Sequence, residues 1–72
     1  MNKKNQTITL KTPYITLGQL LKLASVVETG GEVKAFLAAN LIKINGVDEN
    51  RRGRKLYKGD VIDLNSDKIT LK

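Results

Sequence analysis

The chain has 72 residues, with 13 lysines and arginines against 7 acidic residues and a formal charge of +6 that no histidine adjusts. That length makes a single domain, 1–72, and the lack of both cysteine and histidine removes disulfides, thiolate chemistry, zinc ligation by those residues and histidine general-base catalysis. No run approaches the roughly 20 apolar residues of a membrane span, and the basic start leads into no apolar signal core, so a cytoplasmic protein with no membrane partner is expected.

Residues 1–6 are polar and expected to be disordered. Thr7-Ile8-Thr9-Leu10-Lys11 alternates polar and apolar, the period of a half-buried strand, and Thr12-Pro13 ends it. Thr16-Leu17-Gly18-Gln19 fits a capping box, and Leu17, Leu20, Leu21 and Ala24 share one face of a helix over about 17–25. Val26-Val27 is expected beneath the exit turn. Thr29-Gly30-Gly31-Glu32 reads as a second capping box, with the glycines making a tight turn into a helix over about 31–39. No Gly-Lys-Ser/Thr follows, so this is no nucleotide-binding P-loop. Val33, Phe36 and Leu37 form the apolar face, and Asn40 is expected as a left-handed cap.

Leu41-Ile42-Lys43-Ile44 reads as a strand, Asn45-Gly46 as a two-residue hairpin turn, and Val47-Asp48-Glu49 as the returning strand. Residues 50–55 have no apolar side chain and form an exposed loop. Leu56-Tyr57 re-enters the core, Lys58-Gly59-Asp60 turns with Asp60 fixing the turn, and Val61–Leu64 and Lys68–Leu71 are strands joined by a turn at Asn65-Ser66-Asp67. The order is strand, helix, helix, then short strands. This is an α+β plan with two short helices packed on a small, mainly antiparallel sheet.

The charge is concentrated. Arg51, Arg52, Arg54, Lys55 and Lys58 fall within eight positions that no acid interrupts. Such a cluster suits phosphate contact, because an arginine fork holds two phosphate oxygens at once. Lys22, Lys34 and Lys43 are scattered, and Lys22 points away from its helix's apolar stripe. Tyr14 and Tyr57 could stack on bases, but packed rings with exposed hydroxyls are the expectation. Asp48 and Glu49, adjacent on a strand, face opposite sides, so no paired-carboxylate site forms. No catalytic residue, metal, cofactor or small-molecule substrate is expected.

Ile42-Lys43-Ile44-Asn45-Gly46, the basic loop, and Leu56-Tyr57-Lys58-Gly59-Asp60-Val61-Ile62 together resemble the S4-like RNA-binding domain, over about residues 15–64. Thr16 to Lys22, Gly30-Gly31 and Asn50 to Leu56 look like the small free-standing bacterial members, of the YaaA and YbcJ type. The resemblance implies the α+β fold and binding of structured RNA, ribosomal or transfer RNA, at the ribosome or in its assembly. Many members carry an arginine at the start of the first helix and Ser-Arg at the second. Here Thr16-Leu17 and Gly30-Gly31-Glu32 stand there, so the loop is expected to carry more of the binding.

The residues expected on RNA are therefore Arg51, Arg52, Arg54 and Lys55, extended by Lys58 and Lys43, with Lys22 and Lys34 as a helical rim. A protein-interaction adaptor, docking an acidic partner on the same loop, is the alternative. A β-grasp carrier would end in Gly-Gly, whereas this chain ends Thr70-Leu71-Lys72. On this reading the loop is dispensable for folding: replacing Arg51, Arg52 and Arg54 together with Ala should abolish binding at almost no cost in thermal stability.

Overall fold

The computed structural model describes residues 4–64 and 67–72. The elements run β1 (Lys4–Ile8), β2 (Ile15–Thr16), α1 (Leu17–Leu23), α2 (Gly30–Ala39), β3 (Ile42–Ile44), β4 (Val47–Glu49), β5 (Lys55–Leu56), β6 (Val61–Asp63) and β7 (Asp67–Leu71). Among the described residues, five strands form one sheet in the order β1-β7-β6-β3-β4, and β2 pairs separately with β5. β1 lies parallel to β7, and the other neighbours are antiparallel. The fold is the expected α+β arrangement with a mainly antiparallel sheet.

Local chemistry sets the helix ends. The Thr16 hydroxyl accepts from the Gln19 N–H at 3.2 Å, and the Gln19 side-chain oxygen accepts from the Thr16 N–H at 2.9 Å, completing the capping box of α1. The helix ends in a Schellman arrangement: Val26 N–H donates to the Leu21 carbonyl at 2.9 Å and Ser25 N–H to the Lys22 carbonyl at 3.0 Å. This puts Ser25 at φ 60°, a left-handed conformation usually held by glycine. At α2 the Thr29 hydroxyl accepts from the Glu32 N–H at 3.3 Å. The Glu32 carboxylate is engaged by the Thr29 hydroxyl at 3.4 Å, so only half of the second capping box forms.

Apolar periodicity then fixes the layers. Leu17, Leu20 and Leu21 of α1 and Val33 and Leu37 of α2 are buried against Ile42, Ile44, Leu56, Ile62, Ile69 and Leu71, and among the described residues no polar or charged residue is wholly buried with them. Each fully buried leucine or isoleucine contributes about 1.5–3 kcal/mol of transfer free energy. The opposite face of the sheet carries a cross-strand row, Asp48, Lys43, Asp63, Lys68, in which each residue stands opposite the next on the neighbouring strand.

The two sequence motifs of the C-terminal half meet in space. Asn45 (φ 52°) and Gly46 (φ 85°) make the β3–β4 turn. Asn45 donates from its side-chain nitrogen to Asp60 at 3.1 Å and accepts from the Val61 N–H at 2.9 Å. Asp60 also accepts from the Tyr57 N–H at 2.8 Å, which fixes the turn as expected.

Several expectations are corrected. Residues 4–6, expected to be disordered, lie in β1 because β7 offers them a parallel ladder (Lys4 opposite Asp67, Gln6 opposite Ile69); residues 1–3 lie outside the described residues. The first strand thus spans 4–8 rather than 7–11, although its alternation has the expected phase. Asn40 is extended (φ −129°) rather than left-handed, because the chain passes directly into β3; its N–H and side-chain nitrogen both donate to the Phe36 carbonyl. Leu41 is exposed, and Phe36 sits half-buried at the core margin. Leu56 enters the core but Tyr57 does not, being 50% exposed. Of the turn expected at Asn65-Ser66-Asp67, the first two residues lie outside the described residues and Asp67 begins β7.

Glycine relieves a left-handed position that a Cβ strains. Ser25→Gly is therefore expected to raise stability by about 0.5–1 kcal/mol, read as a higher urea midpoint with an unchanged denaturant slope. A lower midpoint would show that Ser25 is not strained.

Candidate functional site

The basic loop, residues 50–54, leaves β4 and enters β5, and it is held from two sides. On one side stands Glu49, whose side chain is 8% exposed. Its Oε2 accepts from the N–H groups of Asn50 and Arg51, each at 3.2 Å. Arg51 forks onto it, Nε to Oε2 at 3.0 Å and Nη2 to Oε1 at 3.1 Å, and Arg54 Nη1 reaches Oε1 at 2.8 Å.

On the other side the loop backbone closes the start of α1. β2 pairs with β5 through Ile15 opposite Leu56 and Thr16 opposite Lys55. The Leu17 N–H then donates to the Arg54 carbonyl and the Gly18 N–H to the Arg52 carbonyl, both at 2.9 Å. Gly18 packs at ordinary van der Waals distance: an added Cβ would lie 3.5 Å from both the Arg52 carbonyl oxygen and Val33 Cγ1. Loop, α1 and α2 converge at that glycine.

This geometry sorts the expected cations. Arg52 is exposed, and among the described residues its side chain has no protein partner. It borders two surface grooves, one shared with Lys22 and Gly30, the other with Lys34 and Asn50. The structure therefore brings Lys22 and Lys34 to the loop, on either side of Arg52. Arg51 and Arg54 are committed to Glu49, yet both line a third groove with Lys55 and Tyr57. Lys58 is exposed in the turn before β6 and borders none of these. Lys43 is not brought to the loop: it stands on the outer sheet face, 3.9 Å from Asp48 and opposite Asp63.

Glu49 carries no sequence signal as a partner of the loop, and for the tyrosines the sequence favours packed rings over base stacking. β4 alternation marks Glu49 as the inward neighbour of Asp48, but nothing local says that it meets Arg54. Tyr14 and Tyr57, expected as packed rings, are 40% and 50% exposed, with ring centroids 6.0 Å apart and planes at 49°. The β2–β5 register puts them opposite one another, and Lys55 Nζ sits 4.9 Å from the Tyr14 centroid. Among the described residues no group of acidic side chains could hold a metal ion, and no helix is long and apolar enough to cross a membrane.

The sequence matches the family described as the S4 domain over residues 8–72. It is 51% identical over 57 residues to the "Probable ribosome maturation protein RlbA" of Bacillus subtilis (strain 168), an alignment covering 79% of this chain and 80% of that protein.

The hub has a pH signature. The Arg51 side-chain hydrogen bond is the largest influence on the Glu49 carboxyl; burial opposes it, Arg54 and the Arg51 N–H reinforce it, and the pKa falls from 4.5 to about 2. The folded pKa lies below the unfolded one, so the Glu49 contribution is complete above pH 4.5 and is lost as pH falls toward 2. The expectation that all three arginines are dispensable for stability is thereby corrected, because their removal leaves a mostly covered carboxylate without its partners. Glu49→Gln should cost about 1–2 kcal/mol at pH 7, and urea titrations should show the deficit shrinking between pH 4.5 and 2. A deficit constant across that window would contradict the ionic account.

Proposed function

The chain belongs to the S4 domain family, and from that premise we propose that it binds structured RNA through phosphates, in the cytoplasm, during ribosome maturation. The observation that carries this reading is the convergence of Arg52, Lys22 and Lys34, three cations on one face without a protein partner among the described residues. The guanidinium of Arg52 suits two oxygens of one phosphate, and the two ammonium groups act as point charges on its neighbours. The name of the Bacillus relative favours ribosomal over transfer RNA as the target.

Phosphate contacts position a protein without reading sequence, so recognition rests on the spacing of phosphates on a folded RNA. Arg51, Arg54 and Lys55 extend the patch along the loop, and Lys58 lies beyond it. Lys43 is left out, because it sits between acids. The start of α1 takes no phosphate: its first N–H groups, from Leu17, Gly18 and Gln19, are already spent on Arg54, Arg52 and Thr16.

Binding of a ribosomal RNA hairpin, followed by fluorescence anisotropy over a potassium chloride series, tests this. Neutralising about five phosphates gives a slope of log affinity against log salt of roughly −3.5 to −4.5. Arg52→Ala should weaken binding and make the slope shallower by about one, with thermal stability almost unchanged. Salt-independent affinity, or a triple Lys22→Ala, Lys34→Ala, Arg52→Ala variant that binds like the parent, would overturn the reading. Capture of an acidic protein that survives nuclease treatment would favour a protein partner instead.

A further inference from the structure

The groove bordered by Arg51, Arg54, Lys55, Tyr57 and Asp60, whose carboxylate oxygens already accept from Asn45 and the Tyr57 N–H, combines two kinds of recognition chemistry. Its cationic wall is only partly spent. A guanidinium carries five N–H donors; Arg51 gives two to Glu49 and Arg54 gives one, so three and four remain. Its lining also includes Tyr57, half-exposed and, with Tyr14, one of two exposed rings among the three aromatic residues of the chain.

Tyr57 is held, not trailing. Its N–H is fixed by Asp60 at 2.8 Å, and the Asp60 N–H returns to the Tyr57 carbonyl at 3.1 Å. Its ring leans on Tyr14, which is covered in turn by the Lys55 ammonium. An exposed, braced ring beside two guanidinium groups matches the two ends of a nucleotide, a flat base and an anionic phosphate. Paired bases are stacked inside their helix and unavailable to such a ring, whereas bases in loops and bulges are not.

We infer that this groove takes one unpaired nucleotide of RNA, its base stacked on Tyr57 and its phosphate on Arg51 and Arg54. The inference rests on the RNA-binding reading and adds to it a preference for RNA with an unstacked base. Tyr14 is a positioning residue, and Glu49 orients the two arginines.

The full chain is tested with three RNA probes of equal stem sequence: a hairpin with an unpaired loop, the same hairpin with abasic loop positions, and a blunt duplex. The wild type should favour the looped hairpin over the other two by roughly 5- to 150-fold. Tyr57→Leu should remove that preference and Tyr57→Phe should restore it, since the ring and not the hydroxyl stacks. Tyrosine emission gives a second readout, as the chain has two tyrosines and no tryptophan; it should be quenched by the looped hairpin and not by the abasic one, in Tyr14→Phe as in wild type. If all three probes bind equally with the expected salt slope, the nucleotide site is refuted and phosphate binding stands. If none binds, the RNA reading fails and takes the nucleotide site with it.

Discussion

The Glu49 carboxylate accepts five N–H groups, three of them from guanidinium groups that would otherwise repel one another. Positions 51–55 hold four cations around one glycine, a composition that on its own favours an expanded, mobile chain. One mostly covered anion reverses this. It accepts from the backbone just after β4, ties Arg51 and Arg54 to one carboxylate, and leaves Arg52 exposed with Lys22 and Lys34 on either side. The loop carbonyls then satisfy the first N–H groups of α1, so helix and loop complete each other. The site is thus part of the fold and not an appendage to it.

Legibility in the sequence followed the range of the interaction. The capping box at Thr16 and Gln19, the Asn45-Gly46 turn and the Asp60 turn depend on residues a few positions apart, and each could be read directly. The helical faces were equally plain from Leu17, Leu20, Leu21, Val33 and Leu37. What escaped was non-local. β2 and β5 are two residues each, too short for any period to show, and their pairing decides that Tyr14 and Tyr57 meet outside the core. The ladder that orders residues 4–6 comes from β7, at the other end of the chain. Charge clustering was visible, but the division of the arginines between Glu49 and solvent depends on where β4 and β5 sit.

That division gives the loop cations different tasks. Arg51 and Arg54 are partly neutralised and fix shape, while Arg52 is uncommitted and points its full charge outward. Screening by salt acts strongly on exposed charges and less on covered ones. In the loop the covered partner is Glu49, while Arg51 is 74% exposed, so salt acts on this ion pair as well as on the attraction for an anion.

The row Asp48, Lys43, Asp63, Lys68 has a consequence at long range. Its charges alternate across four strands and sum to zero, so the outer sheet face contributes little to the field of the molecule. On the loop side, by contrast, Arg52, Lys22 and Lys34 have no such acidic partners among the described residues, so the two faces carry unequal charge. A polyanion at a distance of one or two Debye lengths exerts a torque on such a body before any contact is made. On the proposed RNA-binding reading, diffusive encounters are turned loop-first.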